Sequence, residues 1–117
     1  MNLHYKIALG LAMAMAMVAQ PAAADDTGVA TSLHAAMRVG NKLCLIDHSH
    51  AGASSGLPSQ AAAKNEAIKA WAGFTAWEYG TDWANIRKAI RVSMRCSQSS
   101  GGWGCDLDAN PCKQVGR

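Results

Sequence analysis

Residues 59–79, SQAAAKNEAIKAWAGFTAWEY, carry the strongest helical pattern in the chain and decide its fold. Ser59 follows Pro58 and can cap the first turn, and Gly80 stands where a helix commonly ends in a left-handed residue. The spacing aligns five apolar side chains in one stripe, namely Ala63, Ala67, Trp71, Phe74 and Trp77. The sequence therefore predicts a long helix that buries this stripe.

A second, shorter helix is predicted directly after the first. Asp82 can cap it, and the segment from Trp83 to about Arg91 presents one apolar face made of Trp83, Ile86 and Ile90. The link at residues 79–82 is short enough to require a sharp turn between adjacent helices.

Residues 42–48, KLCLIDH, precede the long helix and read as a strand with two apolar faces, which is typical of a covered strand. Residues 51–58, AGASSGLP, are small and rich in turn formers, so they predict a loop.

A β-hairpin is predicted near the carboxyl terminus, where residues 94–98 and 103–107 flank the turn sequence SSGG. If Ser100 and Gly101 form a two-residue turn, Cys96 lies directly opposite Cys105. The four tryptophans fall on predicted inner faces and are expected in the core before any ring-stacking ligand surface: Trp71, Trp77, Trp83 and Trp103.

Together these elements predict an α+β fold. A small antiparallel sheet, made of the N-terminal strand and the C-terminal hairpin, would pack against two helices and be stabilised by disulfides. We expect one small domain at residues 42–117, preceded by a loosely ordered segment at residues 25–41.

The first 24 residues have the order of a cleaved secretory signal peptide. Lys6 provides a basic start, residues 7–18 form an apolar stretch too short to span a bilayer, and Ala22–Ala24 offer a small-residue cleavage site. The Ala- and Met-rich composition is typical of bacterial signals. The sequence therefore predicts a periplasmic or secreted protein without a permanent membrane anchor.

Composition sets further bounds on function. The chain has 117 residues and a formal net charge of +3, and loss of Lys6 with the signal leaves ten basic and eight acidic residues. That small charge does not favour a nucleic-acid partner. Four cations near the second helix are a candidate surface for an anion or an acidic partner, although a solvated helix face is the commoner interpretation: Arg87, Lys88, Arg91 and Arg95.

The four cysteines, Cys44, Cys96, Cys105 and Cys112, all lie beyond the signal segment. An even number of cysteines in an exported domain predicts two disulfides, and their spacing lacks the tight knuckle of a zinc site. We favour Cys96–Cys105 across the hairpin and Cys44–Cys112 between strand and tail, while the other two pairings stay open.

Asp47-His48-Ser49-His50 is the stretch with the most chemical character. In an extended chain His48 and His50 share a side, so with Asp47 they are candidate ligands for zinc or copper. Such a site needs a third strong ligand, for which only His34 or Asp47 is at hand. The competing interpretation is a strand end in which Asp47 accepts backbone N–H groups.

Two further motifs match a pattern but lack its context. Residues 52–56 fit G-x-S-x-G, yet every histidine precedes Ser54, whereas the hydrolase elbow requires the histidine to follow the serine. Residues 106–110 space oxygens as in a calcium loop, but Pro111 occupies the position of the required glycine.

Glu78 falls near the middle of the predicted apolar stripe of the long helix, where a free carboxylate is costly. We expect it to form an ion pair with a cation such as Arg87. A catalytic role would require a pocket that joins Glu78 or His48 to a second titrating group.

The chain after residue 46 combines four motifs: Asp47-His48-x-His50, the Gly52–Gly56 loop, the stretch WAxFTxWEYGxDW at residues 71–83, and the ending Cys96…Trp103-x-Cys105…Pro111-Cys112. This pattern resembles that of small secreted proteins of Gram-negative bacteria and covers about 65 residues of the predicted mature chain. The resemblance implies export but brings no reaction, ligand or partner.

The sequence thus favours an exported, disulfide-bonded binding or accessory domain of the cell envelope, without catalytic activity and without a resident cofactor. Its partner would be an envelope protein or a small ligand. The alternative function is a periplasmic metal-binding protein that uses Asp47, His48 and His50 to hold zinc or copper.

Overall fold

A computed structural model describes residues 25–116 of the chain. The predicted signal segment, residues 1–24, lies outside this range. The described elements are, in chain order, α1 (Val29–Leu33), β1 (Ala36–Val39), β2 (Lys42–Leu45), β3 (His50–Leu57), α2 (Gln60–Tyr79), a short 3-10 helix (Thr81–Trp83), β4 (Ile90–Ser99), β5 (Gly102–Asn110) and β6 (Cys112–Gln114).

The strands form two antiparallel sheets of three strands each. One has the order β1-β2-β6 and the other β3-β5-β4. The fold is therefore α+β, as the sequence predicts, but the hairpin of β4 and β5 pairs with β3 and not with the strand at residues 42–45. Two sheets replace the single sheet that we expected.

Both disulfides join residues that stand opposite each other in these sheets. Cys44 is bonded to Cys112 between β2 and β6, and Cys96 to Cys105 between β4 and β5. The hairpin turn is Ser100-Gly101, since Ser99 pairs with Gly102 in the register. Each sheet thus carries one covalent cross-link.

Helix α2 begins at the predicted cap, where the backbone N–H of Ala62 donates to Oγ of Ser59 at 3.1 Å. Its buried residues recur every fourth position: Ala63, Ala67, Trp71, Thr75 and Tyr79. Phe74 is 46% exposed and Trp77 is 78% exposed, so the prediction that both face the core is wrong. Because a helical turn has fewer than four residues, a stripe of every fourth residue winds slowly around the helix. The buried face in the second half of α2 therefore differs from the predicted face.

Residues 84–89 contain no α-helix, and β4 already starts at Ile90, so the predicted second helix is wrong beyond the 3-10 turn. The Asn85 side chain accepts the backbone N–H of Arg87 at 3.0 Å. This local bond offers the backbone an alternative to helical hydrogen bonds.

Residues 51–58 belong mostly to strand β3, which corrects the predicted loop. Their small size has a packing role, because α2 crosses this strand closely at Gly52. Residues 25–41, which we expected to be loosely ordered, contain α1 and β1. Backbone hydrogen bonds tie the start of this segment to the end of α2 and to the 3-10 helix. The N–H of Thr27 donates to the Tyr79 carbonyl at 2.9 Å, and the N–H of Asp82 donates to the Asp25 carbonyl at 2.8 Å.

The interior consists of two clusters. The larger one packs α2 on β5 and contains Ala63, Ala67, Trp71, Cys105, Leu107 and Ala109. The smaller one contains Ala30, Leu45, Tyr79 and Trp83. Asn110 connects the two sheets, since its buried side-chain amide donates to the Leu45 carbonyl at 2.8 Å. No helix among residues 25–116 is both long and apolar enough to cross a membrane.

Candidate functional site

Three histidines meet where the two sheets and the end of α2 come together. His34 follows α1, His48 lies in the link between β2 and β3, and His50 is the first residue of β3. The His34 and His48 rings are stacked with centroids 4.1 Å apart, and His48 stands perpendicular to His50 at 5.2 Å. We call these three residues the histidine cluster.

A hydrogen-bond relay fixes the ring of His50, which is almost fully buried. Its Nδ1 lies 2.9 Å from Oγ1 of Thr75, and Thr75 donates its hydroxyl proton to the Trp71 carbonyl at 2.7 Å. Because that hydroxyl has only one proton to donate, its oxygen accepts the hydrogen bond from Nδ1–H of His50. The relay therefore places a proton on Nδ1 and turns Nε2 toward the other side of the ring.

Nε2 of His50 lies 3.2 Å from Oε2 of Glu78, whose side chain is 28% exposed. The two atoms are close enough for an ion pair, but the alignment does not make a hydrogen bond, and Nε2 has no other partner among residues 25–116. Burial lowers the pKa of His50 below its ordinary value and outweighs the opposing effect of Glu78. Burial therefore favours the neutral form of this imidazole, while the nearby carboxylate favours the charged form.

Two aromatic rings pack against His50. The Tyr79 ring stacks on His50 with centroids 4.6 Å apart, and the Phe74 centroid lies 4.7 Å from that of His50. The Trp77 ring stacks on Phe74 with centroids 6.1 Å apart. The hydroxyl of Tyr79 is buried and makes no hydrogen bond within the described part of the chain. Burial, with smaller contributions from Glu78 and Asp47, raises the pKa of Tyr79 to about 12, so this phenol stays neutral.

Asp47 lies at the edge of this arrangement, beside His34. Its Oδ2 accepts the backbone N–H of Ala35 at 3.1 Å, and its Oδ1 lies 3.9 Å from Nδ1 of His34. Of the predicted metal set, the structure thus brings His48 and His50 together and gives Asp47 the strand-end role of a backbone acceptor. Within the described range, no three His, Cys, Asp or Glu side chains are already arranged to hold a metal ion.

Glu78 pairs with His50 and not with Arg87, which corrects the predicted ion pair. The sequence also gave no role to Thr75, although its place four residues from both Trp71 and Tyr79 puts it on the buried stripe. That spacing is the signal that identifies Thr75. Glu78 lies beside a second titrating group, His50, because the fold brings the first residue of β3 next to the last turn of α2.

The helix that was expected to align the candidate anion surface is absent from the described residues. Arg87 and Lys88 lie in the segment before β4, and Arg95 stands on β4 opposite Asp106. Arg91, with φ of 51°, lies in the bulge between Ile90 and Ser93, where its guanidinium donates to the Ile46 carbonyl at 2.6 Å.

Ser54 of the G-x-S-x-G pattern has a structural role. Its hydroxyl donates to the Ala63 carbonyl at 2.6 Å and accepts the backbone N–H of Cys105 at 3.1 Å. The groove beside it, about 510 Å³ in volume, is also lined by Glu66 and Lys69, which pair with each other at 3.3 Å. The residues of the calcium-like pattern, 106–110, lie in the extended strand β5 and not in a loop.

Comparison with protein-family models, with curated proteins and with solved structures finds no match for this chain. The case for function therefore depends on the histidine cluster and the side chains that surround it.

Proposed function

We propose that this chain is an exported, disulfide-stabilised binding domain, and that its binding site combines the histidine cluster with Phe74, Trp77 and Glu78. The observation that carries the proposal is the exposure of Trp77, at 78%, directly beside Phe74, which packs on His50. Exposed neighbouring aromatic rings are typical of recognition surfaces, where they supply large contact areas.

The chemistry of this surface suggests the kind of ligand. The rings of Phe74 and Trp77 offer faces for stacking, and the carboxylate of Glu78 accepts hydrogen bonds or attracts a cation. We infer that the ligand is a small molecule, or a side chain of an envelope protein, that joins an apolar ring to a positively charged donor.

The two disulfides support a location in an oxidising compartment, since such bonds persist outside the reducing cytosol. Together with the predicted signal peptide, they favour the bacterial periplasm or the external medium. Mass spectrometry of the protein from its native host tests this part. We expect a chain that starts at Asp25, and an unprocessed amino terminus on cytosolic material would contradict export.

The binding site is tested with tryptamine, a probe that carries an indole ring and an ammonium group, with uncharged indole for comparison. In two-dimensional NMR spectra we expect tryptamine to shift the signals of residues 74–79 more than indole does. Trp77→Ala should abolish these shifts. Val92→Ala, which removes an apolar side chain of 51% exposure on β4, should leave them unchanged. Shifts that survive in Trp77→Ala, or no shifts at all, would contradict the site.

The second candidate function is metal binding by Asp47, His48 and His50, with zinc or copper as the ion. It is favoured by the perpendicular contact of His48 with His50 and by the free Nε2 of His50. Metal analysis of protein purified without a His tag tests it, beside the double variant His48→Ala/His50→Ala. Absence of stoichiometric zinc or copper after equilibration with either ion would rule it out.

A further inference from the structure

We propose that a divalent transition-metal ion, zinc in the first instance, binds between Nε2 of His50 and Oε2 of Glu78, with His48 as the third ligand and Asp47 outside the ligand set. This inference builds on the metal-binding candidate above and changes its ligands. It shares Glu78 and the histidine cluster with the binding site proposed above, whereas the stacking surface of Phe74 and Trp77 takes no part in it.

The first argument is the tautomer of His50. Histidines that bind metal usually donate the other ring N–H to an acceptor that fixes the ring, and the Nδ1 contact with Thr75 does this here. Thr75 is itself held by the Trp71 carbonyl. The ring therefore holds Nε2, the atom that a metal needs, in a fixed position beside Glu78.

The second argument is the contact between Nε2 and Oε2. Two facing lone pairs repel unless a proton or a cation lies between them, so this contact requires a positive charge or a shared proton at this point. Zinc bonds of about 2.0–2.2 Å at a tetrahedral angle place two ligand atoms about 3.3–3.5 Å apart. The observed 3.2 Å is close to this separation.

The third argument concerns His48. Two imidazoles bound to one tetrahedral zinc have ring centroids roughly 5 Å apart. His48 and His50 are 5.2 Å apart and nearly perpendicular, at 86°. No three ligands are yet arranged around one point in the described residues, so His48 has to rotate to complete the site. His34 stacks on His48 with centroids 4.1 Å apart, so this rotation also separates those two rings.

Asp47 is left out because its carboxylate is already committed. One oxygen accepts the backbone N–H of Ala35, and the other lies toward His34. An asparagine at this position still offers an oxygen acceptor for that N–H. Asp47→Asn therefore distinguishes the ligand set that includes Asp47 from the one that does not, and it keeps the local hydrogen bond.

The experiment titrates zinc into tag-free, chelator-treated protein with both disulfides intact, and follows binding by calorimetry. Cobalt absorption then reports the coordination geometry. We expect Glu78→Gln and His48→Ala each to weaken affinity by about tenfold or more. Asp47→Asn should leave affinity unchanged. Glu66→Gln is the matched control and should also leave zinc affinity unchanged, because Glu66 lies on the same helix as Glu78 but pairs with Lys69.

Thr75→Val tests the positioning residue, because it retains the shape of the side chain and removes the acceptor for Nδ1. We expect weaker zinc affinity, and nitrogen NMR should show that His50 loses its single tautomer in the metal-free protein. Unchanged near-ultraviolet spectra would establish that each variant is folded.

The outcomes separate the proposals. Equal affinity in Glu78→Gln and wild type, or loss of binding in Asp47→Asn, overturns the ligand set proposed here while metal binding itself stands. No zinc binding by any form overturns the zinc site proposed here, and absence of both zinc and copper binding overturns the metal-binding candidate above as well. In that case Trp77-dependent shifts with tryptamine would still support the binding domain.

Discussion

Gly52 on β3 lies directly against the backbone of Ala67 on α2. A Cβ atom at residue 52 would overlap the Ala67 carbonyl oxygen and come within 2.7 Å of the backbone nitrogen of Trp71. Backbone atoms of a helix interior cannot move aside individually, because each is held by the helical hydrogen bonds. The absence of a side chain at Gly52 thus sets the distance between the helix and the sheet.

We expect Gly52→Ala to lower the free energy of unfolding by about 1–3 kcal/mol or more, since overpacking of a close contact forces backbone shifts. Gly73→Ala is the matched control. Gly73 lies in the same helix, α2, and an added Cβ there meets no atom within 4 Å. Gly73→Ala should stabilise by about 0.5–1 kcal/mol, because alanine loses less entropy in a helix.

Urea unfolding of both variants, with disulfides intact, measures these changes. Equal changes in the unfolding free energy of the two variants would contradict the close contact at Gly52, because only Gly52→Ala places a Cβ atom against the backbone of α2.

Ser54 should matter for stability and not for chemistry. Its hydroxyl joins β3 to α2 and to β5 through the Ala63 carbonyl and the Cys105 N–H. Ser54→Ala leaves both groups without that partner, so we expect a loss of about 1–2 kcal/mol in unfolding free energy. Ser55→Ala, at an exposed neighbouring position, should change it by less than about 0.5 kcal/mol. Equal midpoints of chemical denaturation for the two variants would contradict this role.

The hairpin was accessible to prediction because its determinants are local. The sequence SSGG places Cys96 opposite Cys105 by counting residues from the turn. Strand β3 was missed for the opposite reason. Its residues AGASSGL have the composition of a loop, and only the approach of α2 to Gly52 gives their small size a purpose in a strand. Tertiary packing overrode local preference there.

The candidate site also combines features that local sequence identifies with contacts that only the fold creates. The sequence singled out His48, His50 and Glu78 individually, from residue type and helical position. It could not place Glu78 beside His50, since that contact depends on how the first residue of β3 meets the last turn of α2. The outward position of Trp77 was also missed, because a stripe of three- and four-residue steps fits the helix as well as the observed stripe of fours.

The two disulfides should differ in their contribution to stability. Cys44–Cys112 spans 68 residues and Cys96–Cys105 spans 9. By the entropy of loop closure, the longer loop contributes about 4 kcal/mol and the shorter about 2.5 kcal/mol. We therefore expect Cys44→Ala/Cys112→Ala to lower the unfolding free energy more than Cys96→Ala/Cys105→Ala does. Chemical denaturation of the two double variants measures the difference, and the reverse order would show that local strain or packing outweighs loop entropy.

Acid should weaken the fold through Asp26, which pairs with Lys113 and anchors the start of the domain to β6. Burial raises the pKa of Asp26, but hydrogen bonds from Lys113 and from the Gly28 backbone outweigh burial, so the pKa lies below its ordinary value of 3.8. A carboxylate with a lowered pKa in the folded state stabilises the fold above pH 3.8, and this contribution is lost as the pH falls through the lowered value. Unfolding free energies measured from pH 6 down to pH 2 should therefore fall less steeply in Asp26→Asn than in wild type. Asp108→Asn, at an exposed position on β5, serves as the control, and identical pH profiles for wild type and Asp26→Asn would contradict the stabilising role of the pair.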